Sequence, residues 1–323
     1  MSIDTPEAGP SDERREMVTE SLEAGASAAI GVSVATLWTA PDAPRPSDAL
    51  AVADVPDPAG WVAGLGDAER RDLVGRTLTQ LLLGDRVVIE EVAGGWASVV
   101  ALGQSRTGSD PRGYAGWIRL AHLVPEAPGP DEPTHIVTAL TTALTTALRP
   151  DATDPRLEAP LGVRLHAVGP EEDGRIPVRV PGRPDPAWVA SADVAALPVA
   201  AVGPEAVLDL AGRLEGVPYI WGGLSAHGID CSGLVHLAHR RFGVVLPRDA
   251  DDQAAATRPV PVAEERPGDL RFFQRPGKAI HHVGLVTAPG RLLHASMGAG
   301  RVQHDEIAGE LADTLAGAHR VLD

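Results

Sequence analysis

The stretch Gly228–Leu234, which reads GIDCSGL, decides how the last third of the chain is interpreted. Asp230 is a residue type that caps helix N-termini, and the apolar positions after it recur at helical spacing. A helix is therefore predicted to begin at Cys231 and to end near Gly243, a residue suited to the position after a helix. In its first turn, unpaired N–H groups and the positive end of the helix dipole favour a thiolate. Cys231 is thus a candidate nucleophile, although a lone cysteine is more often inert packing.

Two histidine-bearing strands are predicted downstream of this helix. Residues 281–286 (HHVGLV) alternate, and residues 292–296 (LLHAS) return antiparallel after a turn. With a three-residue connection, His282 and His294 lie on one face as diagonal neighbours, whereas a two-residue turn separates them. On one face, one imidazole can take the thiol proton while the other holds its tautomer. This prediction therefore depends on the register of the hairpin.

The other histidines are interpreted differently. His281 is a rival to His282, but alternation places it on the opposite face of the strand. Four more are predicted to be surface or loop residues: His227, His236, His239 and His304. No Cys/His spacing indicates zinc, so neither a metal nor a cofactor is predicted.

Six linked motifs resemble the NlpC/P60 family of cysteine peptidases. In the family's order they are YIWGG (219–223), GIDCSGL (228–234), LPRDADDQ (246–253), RPGDL (266–270), HHVGLV (281–286) and LLHAS (292–296). The resemblance covers about the last third of the chain. It implies an α+β fold of papain-like type in circularly permuted order, in which a cysteine-bearing helix packs on an antiparallel sheet.

The resemblance also implies catalytic roles. Cys231 would be the nucleophile, His282 the general base and His294 the orienting third member. Tyr219 would add its hydroxyl to the oxyanion site beside the Cys231 N–H, where charge develops on the attacked carbonyl.

The N-terminal part has short β-type segments broken by turns. The phrases GWASV (95–99) and GWI (116–118) resemble bacterial SH3 domains, although such Trp residues are usually only barrel core. Residues 187–189 match more weakly. The predicted organisation is a poorly structured or helical leader at 1–25, an all-β SH3-like barrel at 26–125 with an insertion at 41–78, a second such barrel at 134–198 after a Pro-rich linker, and the catalytic domain at 203–323.

One branch of the family, the γ-D-glutamyl-L-diamino acid endopeptidases of dipeptidyl-peptidase VI type, places SH3 units ahead of the catalytic domain and requires a free N-terminal L-alanine. Asp249 lies where that branch binds the amine, although it could equally be an N-cap residue. Ala250 departs from the small polar residue expected there. Asp251 and Asp252 are interpreted as solvent-facing.

The first SH3-like domain is expected to supply Tyr114 to the cleft, together with an acidic residue. Asp85, Glu90 and Glu91 compete for that second role, and Glu91 is the one named. Trp221 either lines the pocket or belongs to the core beneath it. The predicted substrate-binding set is Asp249, Tyr114, Trp221, Asp230, Ser232 and Glu91.

Composition limits the partners. The formal net charge of −16 over 323 residues argues against a general binder of nucleic acid or anionic membranes. No apolar run approaches the ~20 residues that span a bilayer. The single cysteine excludes an intramolecular disulfide, and the start of the chain lacks a signal-peptide pattern, so a cytoplasmic protein is expected.

The predicted function is cleavage of the γ-D-Glu–diamino acid bond in short cell-wall peptides with a free L-alanine amine, as in muropeptide recycling. A secreted hydrolase of intact cell wall is the alternative. A non-catalytic binding module and an acyltransferase are two further hypotheses, which the intact Cys231, His282 and His294 and the SH3-like units respectively disfavour. Diaminopimelate or lysine preference, the oligomeric state and the role of the insertion stay open.

Overall fold

A computed structural model of the protein describes residues 22–126, 132–154, 156–198 and 203–322. The predictions for most of the leader and for the centre of the linker lie outside these residues. No helix among the described residues is both long enough and apolar enough to cross a membrane.

Residues 22–126 form a seven-stranded sheet, referred to below as the first β unit. Its strands are β1 (Ser27–Ile30), β2 (Val34–Trp38), β3 (Thr77–Leu82), β4 (Arg86–Ala93), β5 (Trp96–Ala101), β6 (Tyr114–Arg119) and β7 (Leu123–Pro125), in the order β3-β2-β6-β5-β4-β1-β7. Alternate residues point inward, so Ile89, Val99 and Ile118 are fully buried. The all-β character expected here is confirmed, while kinship with SH3 domains stays a prediction.

The predicted insertion lies between β2 and β3. It contains α1 (Ala49–Val52), α2 (Pro58–Gly64) and α3 (Asp67–Arg71). Trp38 and Trp61 centre its apolar cluster, which also includes Ile220 of the C-terminal unit. The insertion therefore packs against the C-terminal unit as well as against its own sheet.

Residues 132–154 and 156–198 form a second seven-stranded sheet, the second β unit. Its strands are β8 (His135–Val137), β9 (Thr141–Thr145), β10 (Arg156–Pro160), β11 (Arg164–Ala167), β12 (Arg175–Arg179), β13 (Ala187–Ala190) and β14 (Val194–Ala196). Its inward residues share one apolar core with the C-terminal unit. A Cβ on Gly162 would lie 2.7 Å from Leu237, which shows how closely the two units pack.

Residues 203–322 form the C-terminal unit. It contains α4 (Pro204–Gly212), a two-strand hairpin of β15 (Leu224–Ser225) and β16 (Gly228–Ile229), α5 (Cys231–Arg240), α6 (Ala250–Ala256), β17 (Arg258–Val260), β18 (Leu270–Gln274), β19 (Ile280–Ala288), β20 (Arg291–Ser296), β21 (Arg301–Glu306), α7 (Glu310–Asp313) and β22 (Leu315–Arg320). The antiparallel sheet has the order β17-β22-β18-β19-β20-β21. Helix α5 packs on β19 and β20, so the expected cysteine-bearing helix on an antiparallel sheet is confirmed.

Helix α5 is covered on all sides. The prediction that His236 and His239 are surface residues is therefore wrong, since both are at most 1% exposed. Each ring donates its Nδ1–H to a backbone carbonyl, that of Leu246 for His236 and that of Val235 for His239. Burial lowers the pKa of His236 to about 3 and that of His239 to about 4, so both rings are neutral at pH 7.

The first β unit is fastened to the C-terminal unit through β3. Thr77 donates to the Trp221 carbonyl at 2.7 Å, and the Leu224 N–H donates to the side chain of Gln80 at 2.9 Å. Gly222 has φ +78°, and a Cβ there would lie 3.1 Å from the β3 backbone. Glycine is required at this crossing, both for the left-handed conformation and for the close approach.

Candidate active site

The two predicted histidines share one face of the β19–β20 hairpin. A two-residue turn at 289–290 joins the strands, and by itself it would place His282 and His294 on opposite faces. A β-bulge between Val286 and Ala288 inserts one residue and restores the shared face. The result is a contact of 2.6 Å between Nε2 of His282 and Nδ1 of His294.

The contact between the two histidines needs a glycine beside it. A Cβ on Gly284 would lie 2.3 Å from Cδ1 of Leu292 and 3.0 Å from Cβ of His294. Real Cβ atoms do not approach a methyl group this closely, so any side chain would force the buried Leu292 side chain to shift. The glycine of HHVGLV therefore allows the close packing that brings the rings together.

A carboxylate extends this chain of contacts. Nε2 of His294 lies 2.9 Å from Oδ2 of Asp305, and the side chain of Gln303 donates to the same oxygen at 2.8 Å. His294 pairs with Gln303 across β20 and β21, and Asp305 lies two residues further on the same face. Sequence reasoning missed Asp305 because its position becomes meaningful only once β21 is paired with β20.

Cys231 lies at the start of α5, as predicted, but its electrostatic setting differs from the expectation. It is 6% exposed, and burial, with Asp230 adding to it, raises the pKa of its thiol to about 12. The backbone N–H groups of Val283 and Ser232 and the charge of Arg248 oppose this rise in pKa only in part. The resting group is therefore a neutral thiol, and it needs a base to become a nucleophile.

His282 provides a neutral imidazole near this thiol. The backbone N–H of the next residue, Val283, faces the Cys231 sulfur. Burial, followed by the charges of His294 and His281, lowers the pKa of His282 to about 3. Because Nε2 of His282 contacts His294, Nδ1 is the ring nitrogen that this contact leaves open.

Tyr219 lies beside the cysteine. It is 4% exposed, and burial raises the pKa of its phenol well above the ordinary value, with Cys231 and Asp230 adding to the rise. The hydroxyl is therefore protonated at neutral pH and available as a hydrogen-bond donor. No hydrogen bond to another described residue engages it.

The side chains of Asp230 and Ser232 are buried and engaged by protein groups, and their predicted contact with a substrate stays a prediction. Asp230 accepts from the backbone N–H groups of Gly222 at 2.8 Å and Gly233 at 2.6 Å. Both of its oxygens also accept from the buried guanidinium of Arg248, at 2.8 and 2.9 Å. Ser232 accepts from the same guanidinium at 2.9 Å.

Arg248 is the central buried cation of the site, and sequence reasoning missed its role. It is 1% exposed. Besides Asp230 and Ser232, its guanidinium donates to the Gly223 carbonyl at 3.1 Å and to the Thr79 hydroxyl of β3 at 2.8 Å. Arg248 thus joins the cysteine helix to the first β unit.

Asp249 and Tyr114 are brought together, as the resemblance implied. Asp249 is the N-cap residue of α6, but its carboxylate caps no N–H there. Its Oδ2 instead lies 3.1 Å from the Tyr114 hydroxyl and 3.1 Å from Nε of Arg106, whereas Oδ1 is 3.5 Å from that hydroxyl. Burial raises the pKa of Asp249, opposed by the charges of Arg248 and Arg106.

The acidic partner expected from the first β unit is not found at Asp249. Glu91 is exposed opposite Ser98, Glu90 pairs with Arg112, and Asp85 forms an ion pair with Arg240. The group that this unit does supply is a cation, Arg106, from the loop between β5 and β6.

That loop is fixed on both sides of Arg106. The Ser105 carbonyl accepts from the Arg248 N–H at 3.1 Å, and the Thr107 N–H donates to Asp252 at 2.8 Å. Asp252 is 9% exposed, so its solvent-facing interpretation is wrong, whereas Asp251 is exposed as expected.

Trp221 is half-buried and packs against two apolar clusters, that of the insertion and the main core. Trp221 is therefore partly core and partly accessible as a pocket wall, so each of the two alternatives considered for it applies in part.

Asp249, Asp251 and Asp252 place carboxylate oxygens within 4.8 Å of one another. Arg106 and Thr107 already engage two of the three, so this acidic group needs no cation to explain it.

Comparisons with known proteins agree with this geometry. The NlpC/P60 family profile matches residues 216–319. Over 268 residues, 34% are identical to the γ-D-glutamyl-L-lysine dipeptidyl-peptidase of Bacillus subtilis strain 168, which covers 81% of this chain and 88% of that protein. The chain belongs to the NlpC/P60 family. It is therefore an enzyme of the cysteine peptidase class.

Two other relatives show how far the similarity of this NlpC/P60 protein extends. The crystal structure of an NlpC/P60 family protein from Bacillus cereus has a TM-score of 0.85 and 28% identity, covering 92% of this chain and all of that one. The peptidoglycan endopeptidase RipB of Mycobacterium tuberculosis is 43% identical over 111 residues, but these cover only 30% of this chain and 45% of RipB. The whole arrangement of units is thus shared with the first relative, and only part of the chain with the second. The names of the relatives support a cell-wall peptidase.

Proposed function

We propose that the protein cleaves the γ-D-glutamyl–diamino acid bond of short cell-wall peptides that carry a free N-terminal L-alanine. The observation that carries this proposal is the Tyr114–Asp249 contact, which joins the first β unit to the C-terminal unit. It presents a partly exposed carboxylate whose Oδ2 is engaged and whose Oδ1 is freer to accept from an ammonium group. The name of the Bacillus subtilis relative supports the same bond and the release of a dipeptide.

The proposed catalytic sequence uses Cys231, His282 and Tyr219. Nδ1 of His282 takes the Cys231 proton as sulfur attacks the γ-carbonyl carbon of D-glutamate. The negative charge on the carbonyl oxygen is stabilised by the Tyr219 hydroxyl and the Cys231 N–H. The imidazolium returns its proton to the diamino acid nitrogen as the C–N bond breaks, which leaves a thioester on Cys231.

Water then completes the turnover. His282 takes a proton from water as the oxygen attacks the thioester, and the released thiolate regains that proton. The products are L-Ala-D-Glu and the shortened diamino acid peptide. Because the thiol pKa is high, proton transfer to His282 accompanies attack; no preformed thiolate is needed.

The requirement for a free amine also bears on where the enzyme acts. Wall peptides acquire that amine only when the amide to the glycan has been cut, which favours fragments over intact wall. The proposal therefore includes muropeptide recycling in the cytoplasm, with action on intact wall as the alternative.

The test is to identify the bond that is cut. Purified protein is incubated with L-Ala-γ-D-Glu-L-Lys and with the diaminopimelate peptide, and products are followed by mass spectrometry. Release of L-Ala-D-Glu, abolished in Cys231→Ser and retained in an exposed control such as Arg183→Gln, is the expected result. Cleavage at any other bond, or activity that persists in Cys231→Ser, contradicts the proposal.

A further inference from the structure

The contacts beyond the two catalytic histidines settle where their protons lie. His294 is 3% exposed and contacts His282 through Nδ1 and Asp305 through Nε2. The side chain of Asp305 is 35% exposed, and Gln303 donates to the same oxygen that faces His294. The pKa of Asp305 is lowered: burial alone would raise it, but the contacts with Gln303 and His294 outweigh that effect.

An ionised carboxylate can only accept, so the proton in the His294–Asp305 contact belongs to Nε2 of His294. A neutral imidazole has one N–H, which leaves Nδ1 of His294 as an acceptor. The proton in the next contact therefore belongs to Nε2 of His282. Nδ1 of His282 consequently keeps its lone pair, and this is the nitrogen available to Cys231.

We infer that Asp305 is a positioning residue that fixes the tautomers of both histidines and stabilises the positive charge that His282 gains when it takes the thiol proton. Without this carboxylate, His294 can carry its proton on Nδ1. Nδ1 of His294 then donates to Nε2 of His282, the reverse of the direction when Asp305 is present. His282 would then hold its proton on Nδ1, where it cannot accept the thiol proton.

Other titratable groups also act on these rings. In the described part of the chain they are His281, which lowers the pKa of His282, and His304, which lowers that of His294. Asp305 acts in the opposite direction and raises the pKa of His294. Removal of its charge should therefore move the acidic limb of any His282-dependent rate to lower pH.

The experiment measures the rate at which iodoacetamide alkylates Cys231 between pH 2 and 10, a range that extends below the pKa of His282 and that needs no assumption about the substrate. Asp305→Ala should lower the rate at pH 7 by about 10- to 100-fold, less than the ~10⁴-fold cost of replacing the carboxylate that contacts the general base of a serine-protease triad, because Asp305 acts through His294. Its acidic limb should shift to lower pH, while Asp305→Glu restores part of the rate. Glu306→Gln is the matched control, since this exposed neighbour lies on the other face of β21.

Two results would overturn the assignment. One is a rate and pH profile in Asp305→Ala equal to those of Glu306→Gln. The other is a lower rate with an unmoved acidic limb, which indicates a structural role alone. Asp305→Asn, which keeps the shape of the side chain, repeats the test if the alanine variant does not fold, and the same two results overturn the assignment there.

A second inference comes from a small pocket between the insertion and the C-terminal unit. It is lined by Asp67, Arg70 and Arg71 of α3, by Tyr219 and by the loop Met297–Gly300, and its volume is about 40 Å³. It shares no lining residue with the contacts around Asp249. Its lining includes two arginines and one aspartate, so the pocket carries a positive balance in a chain of net charge −16.

The pocket has the size and charge for one anionic group. Arg70 donates to the Val62 carbonyl at 3.0 Å through Nη2, while its buried Nε has no hydrogen-bond partner in the described part of the chain. Tyr219, on the pocket wall, lies close enough to Cys231 for the thiol to raise its pKa. A ligand in the pocket would thus lie next to the cleavage site.

The structure assigns this pocket, on the basis of the proposed function, to the free carboxylate of the diamino acid that leaves. This gives the insertion a role, because α3 supplies the two arginines that would bind the carboxylate. The substrates favoured are then peptides that end at the diamino acid, since any further residue converts this carboxylate to an amide.

The test compares L-Ala-γ-D-Glu-L-Lys as the C-terminal acid and as the C-terminal amide. The wild type should prefer the acid by about tenfold in kcat/KM, which corresponds to one charge-assisted contact. Arg71→Gln and Arg70→Gln should lose this preference, and Arg183→Gln in the second β unit should keep it. Equal cleavage of acid and amide by the wild type overturns the pocket assignment alone, whereas cleavage of neither overturns the proposed function and the assignment with it.

Discussion

Replacement of Arg248 by methionine tests the buried ion pair on which the site is built. Arg248→Met keeps the bulk of the side chain but removes all five of its hydrogen bonds, two of which neutralise Asp230. Removal of one partner from a buried ion pair costs about 3–5 kcal/mol, because the other charge stays buried. Asp230 keeps two backbone donors, Gly222 and Gly233, so the lower end of the range, about 3 kcal/mol, is expected.

The assay is urea unfolding followed by tryptophan fluorescence, with the change in the free energy of unfolding taken at constant m-value. Arg241→Met is the matched control. It replaces another buried arginine, but one that forms no ion pair among the described residues, and a change below about 1 kcal/mol is expected. The double variant Asp230→Asn/Arg248→Met should be more stable than Arg248→Met, since the unpaired charge is removed as well. A single variant within about 1 kcal/mol of the wild type would refute this reasoning.

Three further predictions concern the site directly. Gly284→Ala should lower the free energy of unfolding by about 1–3 kcal/mol through overpacking. By displacing His294 it should also lower kcat more than the loss of stability explains. Peptide kinetics on the folded fraction measure this effect, and an unchanged kcat would contradict it. Tyr219→Phe should lower kcat about 100-fold with little change in KM, and a change in KM alone would argue against an oxyanion role. Arg106→Ala removes a charge that lowers the pKa of Asp249. The KM for free-amine peptides rises as the pH falls, and in this variant the rise should begin at a higher pH than in the wild type. A pH profile of KM identical to that of the wild type would exclude this coupling.

The sequence could predict features that depend on local signals. The helix from Cys231 was predictable because a capping residue and helical spacing lie next to each other in the chain, and the Asp249–Tyr114 contact followed from the family resemblance. The shared face of His282 and His294 was only conditionally predictable. It depends on a β-bulge at Thr287, which no residue type in that strand indicates.

What could not be predicted depends on partners that are distant in the chain. Asp230 and Ser232 have the right types for substrate contacts, but Arg248, from another motif, turns both into internal acceptors. A helix dipole argues for a thiolate at Cys231, yet burial of the thiol, with Asp230 beside it, outweighs the dipole.

The same limit explains the charge found at Asp249. Counting acidic residues in the first β unit could not reveal that the loop between β5 and β6 delivers Arg106 to this carboxylate. That loop is positioned by Thr107 and Ser105, whose partners lie in the C-terminal unit.

The measurement that tests the central claim most directly is the ratio of kcat/KM for L-Ala-γ-D-Glu-L-Lys to that for its N-acetylated counterpart, in the wild type and in Asp249→Asn. We expect a ratio of about 100 or more in the wild type, because acetylation removes the ammonium charge and leaves the partly buried carboxylate of Asp249 without its ligand, and a ratio near one in Asp249→Asn. Equal cleavage of the two peptides by the wild type would contradict the account and would favour an enzyme that acts on intact cell wall.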